Sequence, residues 1–192
     1  MRIIESAGYR QMAWKNGAGT TTEIAVAPPG ATTDDFDWRI SMAQVGADGW
    51  FSAFPQIDRT LAVLEGSGID LSISEAPPVR LSPASAPYSF PADAPAFARL
   101  VDGPILDLNV MTRRNRFTHQ LIKLETDAPV RWQLKAGTTV VLSHTGALRL
   151  DDGLSSCRLP ARDAAFFESQ PRPLIVTPEG RAAIYFMELN EV

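Results

Sequence analysis

No stretch of this chain carries an unbroken 3.6-residue hydrophobic period long enough for a packed helix, and that absence does most to restrict its fold. Prolines (15) and glycines (13) recur at short intervals. Proline lacks the backbone N–H that continues a helix, and glycine costs backbone entropy there. Between these breaks lie short apolar runs at residues 60–64, 69–73, 105–111, 138–142, 147–150 and 182–187. Several alternate apolar with polar residues, which puts every second side chain on one face of a strand. Many short strands divided by turn residues imply an all-β sandwich or barrel. The one segment predicted as a short helix runs over residues 49–58.

The runs also repeat. Residues 63–71 resemble residues 141–150, with one extra residue in the second copy. Arg80-Leu81 then matches Arg158-Leu159, and Tyr88-Ser89-Phe90 matches Ala165-Phe166-Phe167. Asp102-Gly103 matches Glu179-Gly180, and Leu108-Asn109-Val110-Met111 matches Tyr185-Phe186-Met187-Glu188 more loosely. The separation is 78 residues at Arg80/Arg158 and 77 at Gly103/Gly180, and this near-constancy favours a duplicated β-domain over chance likeness. The boundary is expected between about residues 113 and 125, giving domains 1–115 and 116–192.

Composition removes several function classes. Hydrophobic residues make up 45% of the 192, enough for a core, and charged residues 21%, which argues against disorder. A net charge of −4 argues against a nucleic-acid partner, which calls for a basic face. The basic cluster Arg113-Arg114-Asn115-Arg116 reads first as a solvated turn after a strand and second as an anion contact. The single Cys157 has no intrachain partner, in keeping with a reducing compartment. Met1-Arg2-Ile3-Ile4-Glu5-Ser6 meets charge too early for a signal peptide, and no apolar run approaches the roughly 18 residues of a membrane span. A cytoplasmic protein without a membrane partner is the expectation. With only His119 and His144 besides Cys157, no metal site of clustered His or Cys is expected.

The densest chemistry lies in Trp14-Lys15-Asn16-Gly17-Ala18-Gly19-Thr20-Thr21-Thr22-Glu23, followed by Asp37-Trp38-Arg39-Ile40-Ser41. Polar groups mixed with Trp in this way suit a lined pocket. Gly17-Ala18-Gly19 is not a phosphate loop: a dinucleotide fingerprint needs a glycine where Thr22 stands, and a P-loop needs Gly-Lys-Ser/Thr. Arg39 and Arg59 stand in strand-like runs, where a guanidinium holds a carboxylate through two hydrogen bonds or else an internal salt bridge, for example with Glu23 or Asp58. Asn109 and Arg113 end another strand and are candidates for the same cavity, with Ser41 and Thr20 as neutral partners. Trp14 and Trp38 read as pocket wall or as core. Lys15 with Glu23 is a candidate acid/base pair. No Gly-x-Ser-x-Gly elbow accompanies the two histidines.

Three blocks in order, Trp14-Lys15-Asn16-Gly17-x-Gly19-Thr20-Thr21-x-Glu23, Asp37-Trp38-Arg39-Ile40-Ser41-x-Ala43 and Asp48-Gly49-x-Phe51-Ser52-x-Phe54-Pro55-x-x-Asp58-Arg59, closely resemble the HutD/Ves family. Leu64-x-Gly66-x-Gly68 and Asp107-Leu108-Asn109-Val110-Met111 resemble it too. The resemblance implies a bicupin, two cupin-type β-barrels in one chain, with pocket positions at Trp14, Asn16, Thr20, Glu23, Arg39, Ser41, Arg59 and Asn109. It implies a link to histidine utilisation or to stress responses, and a small carboxylated metabolite as ligand. Neither repeat holds the His-x-His, Glu and later His of metal-binding cupins, so no metal and no cofactor are expected. The leading expectation is a metal-independent bicupin that binds a small anionic metabolite, with Lys15 and Asn16 adding donors. The alternatives are a metal-free isomerase or hydrolase, and a structural or interaction protein. Exposed edge strands leave a homodimer open.

Overall fold

The computed structural model describes residues 1–14, 17, 19–168 and 170–192. The described chain is all-β; its helical content is a 3-10 turn at Ser6–Gly8. No helix among the described residues is long and apolar enough to cross a membrane.

The chain divides into two compact units, residues 10–118 and, together, residues 1–9 and 119–191. The first unit holds β2 (Arg10–Ala13), β3 (Gly19–Ala27), β4 (Trp38–Val45), β5 (Gly49–Trp50), β6 (Ile57–Glu65), β7 (Ile69–Ile73), β8 (Val79–Leu81), β9 (Tyr88–Pro91), β10 (Ala96–Leu100) and β11 (Ile105–Arg113). Its larger sheet runs β2-β3-β4-β11-β6-β9 and its smaller sheet β5-β10-β7-β8. Ala43, Leu61 and Val63 of the larger sheet meet Ile69, Leu71, Ala96 and Ala98 of the smaller one in a single core cluster.

The second unit holds β1 (Arg2–Ile4), β12 (Phe117–Thr126), β13 (Val130–Leu134), β14 (Thr138–Thr145), β15 (Leu148–Asp151), β16 (Ser156–Leu159), β17 (Ala164–Glu168), β18 (Arg172–Pro178) and β19 (Ala182–Glu191). Its sheets run β1-β17-β14-β19-β12 and β13-β18-β15-β16. The chain start joins this unit: β1 pairs with β17, the Ser6 N–H donates to Asp163 Oδ1 at 2.8 Å, and the Tyr9 hydroxyl donates to the Arg162 carbonyl at 2.8 Å.

The strand orders are one pattern written twice. β4-β11-β6-β9 corresponds to β12-β19-β14-β17, and β5-β10-β7-β8 to β13-β18-β15-β16. Each copy has a bulge at the same place. The ladder from β11 to β6 skips Leu64, and the ladder from β19 to β14 skips His144. From these bulges Leu108-Asn109-Val110-Met111 superposes in register on Tyr185-Phe186-Met187-Glu188, as the repeat predicted. One detail differs. Val63 corresponds to Ser143 rather than Val141, and the turn into the next strand is one residue shorter in the second copy, not longer.

One expectation from patterning needs correction. Residues 49–58 form no helix: β5 ends at Trp50, and the Phe51 and Phe54 N–H groups donate to the Ala96 and Ala92 carbonyls at 2.8 and 2.9 Å. Those bonds, and the N–H that Pro55 lacks, remove the i→i−4 ladder a helix requires. In β6, moreover, burial is not one-sided: Leu61 and Val63 are buried, and so are Ala62 and Leu64 between them. The apolar run 60–64 is therefore a strand buried on both faces.

Candidate ligand-binding site

The inward face of the first unit's larger sheet changes character along the strands. Backbone register sets its rows. Val26, Arg39, Met111, Arg59 and Phe90 form one row across β3, β4, β11, β6 and β9. Glu23, Ser41, Asn109, Leu61 and Tyr88 form the next, and Thr21, Ala43, Asp107 and Val63 the third. Residues two apart on a strand share a face, so Glu23, Arg39, Ser41, Arg59, Asp107 and Asn109 all point into the same interior. Each is at least nine-tenths buried.

Within that interior the two arginines have different fates. Arg39 Nε donates to Glu23 Oε2 at 2.7 Å, a buried ion pair that takes up one carboxylate. Arg59 has no such bond. Its guanidinium carbon sits 5.2 Å from the ring centre of Phe51, 5.5 Å from Phe54 and 5.8 Å from Phe90. Its Nη2 faces Met111 Sδ at 4.0 Å, and its buried Nε has no hydrogen-bond partner among the described residues. Aromatic faces offset part of the charge, but a buried donor left unsatisfied costs roughly 1–3 kcal/mol.

The carboxylate whose charge acts on Arg59 is Asp107, 1% exposed, which accepts a 2.6 Å hydrogen bond from Asn109 Nδ2. Burial pushes its carboxyl up to about 6, against the pull of Arg59 and of hydrogen bonds from Asn109 and the Ala43 backbone. Burial likewise lowers Arg59 to about 10, with Asp107 opposing and Arg39 adding to the fall. Arg59 thus stays cationic near neutrality, and Asp107 changes charge close to it.

Trp14 flanks the third row. Its Nε1 donates to Thr21 Oγ1 at 2.8 Å. Gly19 is obligatory beside it: a Cβ there would lie 2.2 Å from the Gln44 carbonyl and 3.0 Å from the Trp14 ring. Thr20 pairs with Gln44, so it lies on the face opposite Thr21 and Glu23. Thr21 takes the inward place expected of Thr20, because a one-residue offset along a strand reverses the face. Lys15 and Asn16 lie outside the described residues.

The structure thus brings together Glu23, Arg39, Ser41, Arg59 and Asn109 of the expected set, with Trp14 at its border. Sequence reading passed over Asp107 and the Phe51, Phe54 and Phe90 rings. The available signal for Asp107 was an acidic residue inside an otherwise apolar strand. Arg113 lies further along the inward face of β11, opposite Ile57. It lines an open cleft of about 560 Å³ together with Asp34, Ser52, Phe54, Pro55 and Ile57. Its guanidinium donates to the Phe36 and Asp34 carbonyls at 3.0 and 3.3 Å. No group of three or more His, Cys, Asp or Glu side chains among the described residues is placed to hold a metal ion.

Comparison with known proteins matches this arrangement of two strand repeats. A sequence model of the HutD family matches residues 6–185. Protein Ves of Cronobacter sakazakii (strain ATCC BAA-894) is 33% identical over 178 residues, 92% of each chain. The solved structure of the conserved protein of unknown function PA5104 from Pseudomonas aeruginosa PAO1 is 30% identical, with a TM-score of 0.92 over 98% of both chains. HutD from Pseudomonas fluorescens SBW25, solved in a formate condition, is 28% identical, with a TM-score of 0.84 over 100% of this chain and 98% of that one. For the fold alone, a cupin 2 conserved barrel domain protein from Leptotrichia buccalis superposes with a TM-score of 0.61 at 12% identity, over 97% and 98% of the chains. The sheets are therefore of cupin type, and the family match spans both strand repeats: the chain belongs to the HutD family.

Proposed function

We propose that the first barrel binds a small carboxylated metabolite, with Arg59 as its anchor, and that the protein serves histidine utilisation or a Ves-like role as a binding protein. The observation that carries this reading is the Arg59 guanidinium, 8% exposed, ringed by phenylalanines, and with a buried Nε that no described residue satisfies. A carboxylate supplies the two acceptors such a fork lacks. Arg39 is the weaker candidate because Glu23 already holds it. Ser41 and Asn109 lie in the adjoining row, within the same interior, as neutral partners for the rest of the ligand. The formate condition of the Pseudomonas fluorescens HutD structure supports a carboxylate as first probe.

The test is calorimetry with formate, urocanate, formylglutamate, formiminoglutamate and glutamate. One acid binds the unchanged protein, and Arg59→Lys, still folded by circular dichroism, weakens it at least tenfold, because an ammonium does not reproduce the planar fork. Affinity untouched in Arg59→Lys would remove Arg59 as the anchor.

A second reading is a metal-free isomerase or hydrolase. Asp107 favours it: a buried carboxyl near 6 suits a general acid or base better than Glu23, which is tied to Arg39. Turnover of one of these acids, lost in Asp107→Asn with binding retained, would establish it.

A further inference from the structure

The Arg59 site is closed over, so a ligand needs a way in. Of the three rings around the guanidinium, Phe90 belongs to the core cluster and the half-buried Phe51 packs against it, whereas the half-buried Phe54 lines the open cleft. The two inward-facing strands lead to the same place. On β6 the residue after Arg59 on the inner face is Ile57, and on β11 the residue after Met111 is Arg113; these two are register partners, and both line the cleft. The cleft therefore begins one row, two residues or roughly 7 Å, beyond the Arg59 row. The Phe54 side chain stands between the two: its ring lies beside the Arg59 guanidinium, meets Phe36 edge-on at 6.1 Å and packs against the cluster that holds Ile57 and Met111. Phe54 stands on the irregular segment between β5 and β6, half-buried rather than sealed in. Arg113, pinned over the Phe36 ring and by two carbonyls, places a cation at the cleft that draws anions toward it.

From this we infer that the cleft is the mouth of the Arg59 site and that Phe54 is its gate, the residue that sets which carboxylates enter. The inference rests on the carboxylate reading of Arg59. It specifies the ligand class: acids narrow beside the carboxyl group pass the ring, and acids carrying a ring or branch at that carbon do not.

The probes are formate and benzoate. The unchanged protein binds formate and not benzoate. Phe54→Ala binds benzoate at least tenfold more tightly than the unchanged protein does, and Phe54→Leu falls between. A second measurement does not depend on the core tolerating those changes. In a Cys157→Ser background, Ser52→Cys at the cleft and Ser67→Cys beyond the far end of β6 are each capped with a bulky maleimide. Formate exchange, read from ¹³C line shapes, slows at least tenfold with the Ser52 adduct and is unchanged with the Ser67 adduct. Exchange unaffected by the Ser52 adduct, or slowed equally by both, overturns the gate while leaving the Arg59 site in place. Failure of the unchanged protein to bind either acid removes the site and the gate together.

Discussion

The inward faces of the two barrels share a backbone and differ in what fills it. Where the first barrel has Arg59, Asp107 and Asn109, the second has Thr139, Ile184 and Phe186. In the second barrel Phe186 is fully buried and stacks flat on Trp132 at 4.0 Å and 10°. At the position of Met111 stands Glu188, and its charge is met by Lys135 at 2.8 Å. The second interior thus places apolar or neutral side chains where the first has charges, and its Glu188 is paired, although the Trp132 Nε1 is also buried with no partner among the described residues; the first keeps the unpartnered Arg59 Nε and a carboxyl raised to about 6. Buried groups shifted from their ordinary charge range mark candidate functional sites. One fold thus carries buried charged groups in one interior and mainly apolar packing in the other.

The strongest way to break the contrast is to write the first interior into the second. Phe186→Asn imitates Asn109 and loses a stacked, buried ring, so it should cost about 3–5 kcal/mol, as truncations of buried Phe do; thermal or urea unfolding would show it. A cost under 1 kcal/mol would mean the second core is not closely packed.

Acid dependence separates the barrels next. Asp107, raised from 3.8 to about 6, favours the folded state when protonated. Its contribution is fully present below about pH 4 and is lost as pH rises through about 6, a swing of about 3 kcal/mol. Asp152 of the second barrel behaves oppositely. Burial would raise it, but hydrogen bonds from Ser155, Arg172 and Leu154 prevail and lower it to about 2, so its contribution is present above about pH 4 and lost as pH falls through 2. Asp107→Asn should flatten the stability profile between pH 4 and 6 and leave the acid limb unchanged. A slope that survives in that window would place the titration elsewhere.

Making the first interior resemble the second tests the same idea in reverse. Arg59→Met with Asp107→Leu should leave stability at neutral pH unchanged or raise it by about 1–4 kcal/mol, because two buried charges that share no hydrogen bond give way to apolar packing, while formate binding disappears. Destabilisation with binding retained would show that these charges brace the barrel. The smallest effect distinguishes neighbours on β3: Thr21→Val, which loses the Trp14 bond, should cost about 1 kcal/mol, and Thr20→Val less than about 0.5 kcal/mol.

Arg39, Arg59 and Asn109 were legible as candidates because a cation or amide inside a strand run is costly without a purpose. Asp107 was not, although it stands two residues from Asn109 in the same run. Alternation shows that Asp107 and Asn109 share a face but not that the face is the interior, and with Leu108 and Val110 apolar on the other face the polar side reads as the wet one. The aromatic ring set was hidden for another reason. Phe51 and Phe54 stand on the irregular segment before β6 and Phe90 on β9, and only the pairing of β6 with β9 gathers all three around one guanidinium.

The chain order of proline, glycine and short apolar runs determined an all-β molecule built twice, because local backbone limits and a side-chain period of two act within a few residues of one another. The family, too, was readable from contiguous motifs. Only the tertiary structure decided which face of each strand turned inward, that Glu23 claimed Arg39 and left Arg59 open, and that β1 joined the second barrel through β17. Those outcomes depend on register and burial between residues far apart in the chain, where the dielectric around each charge is set by everything packed against it.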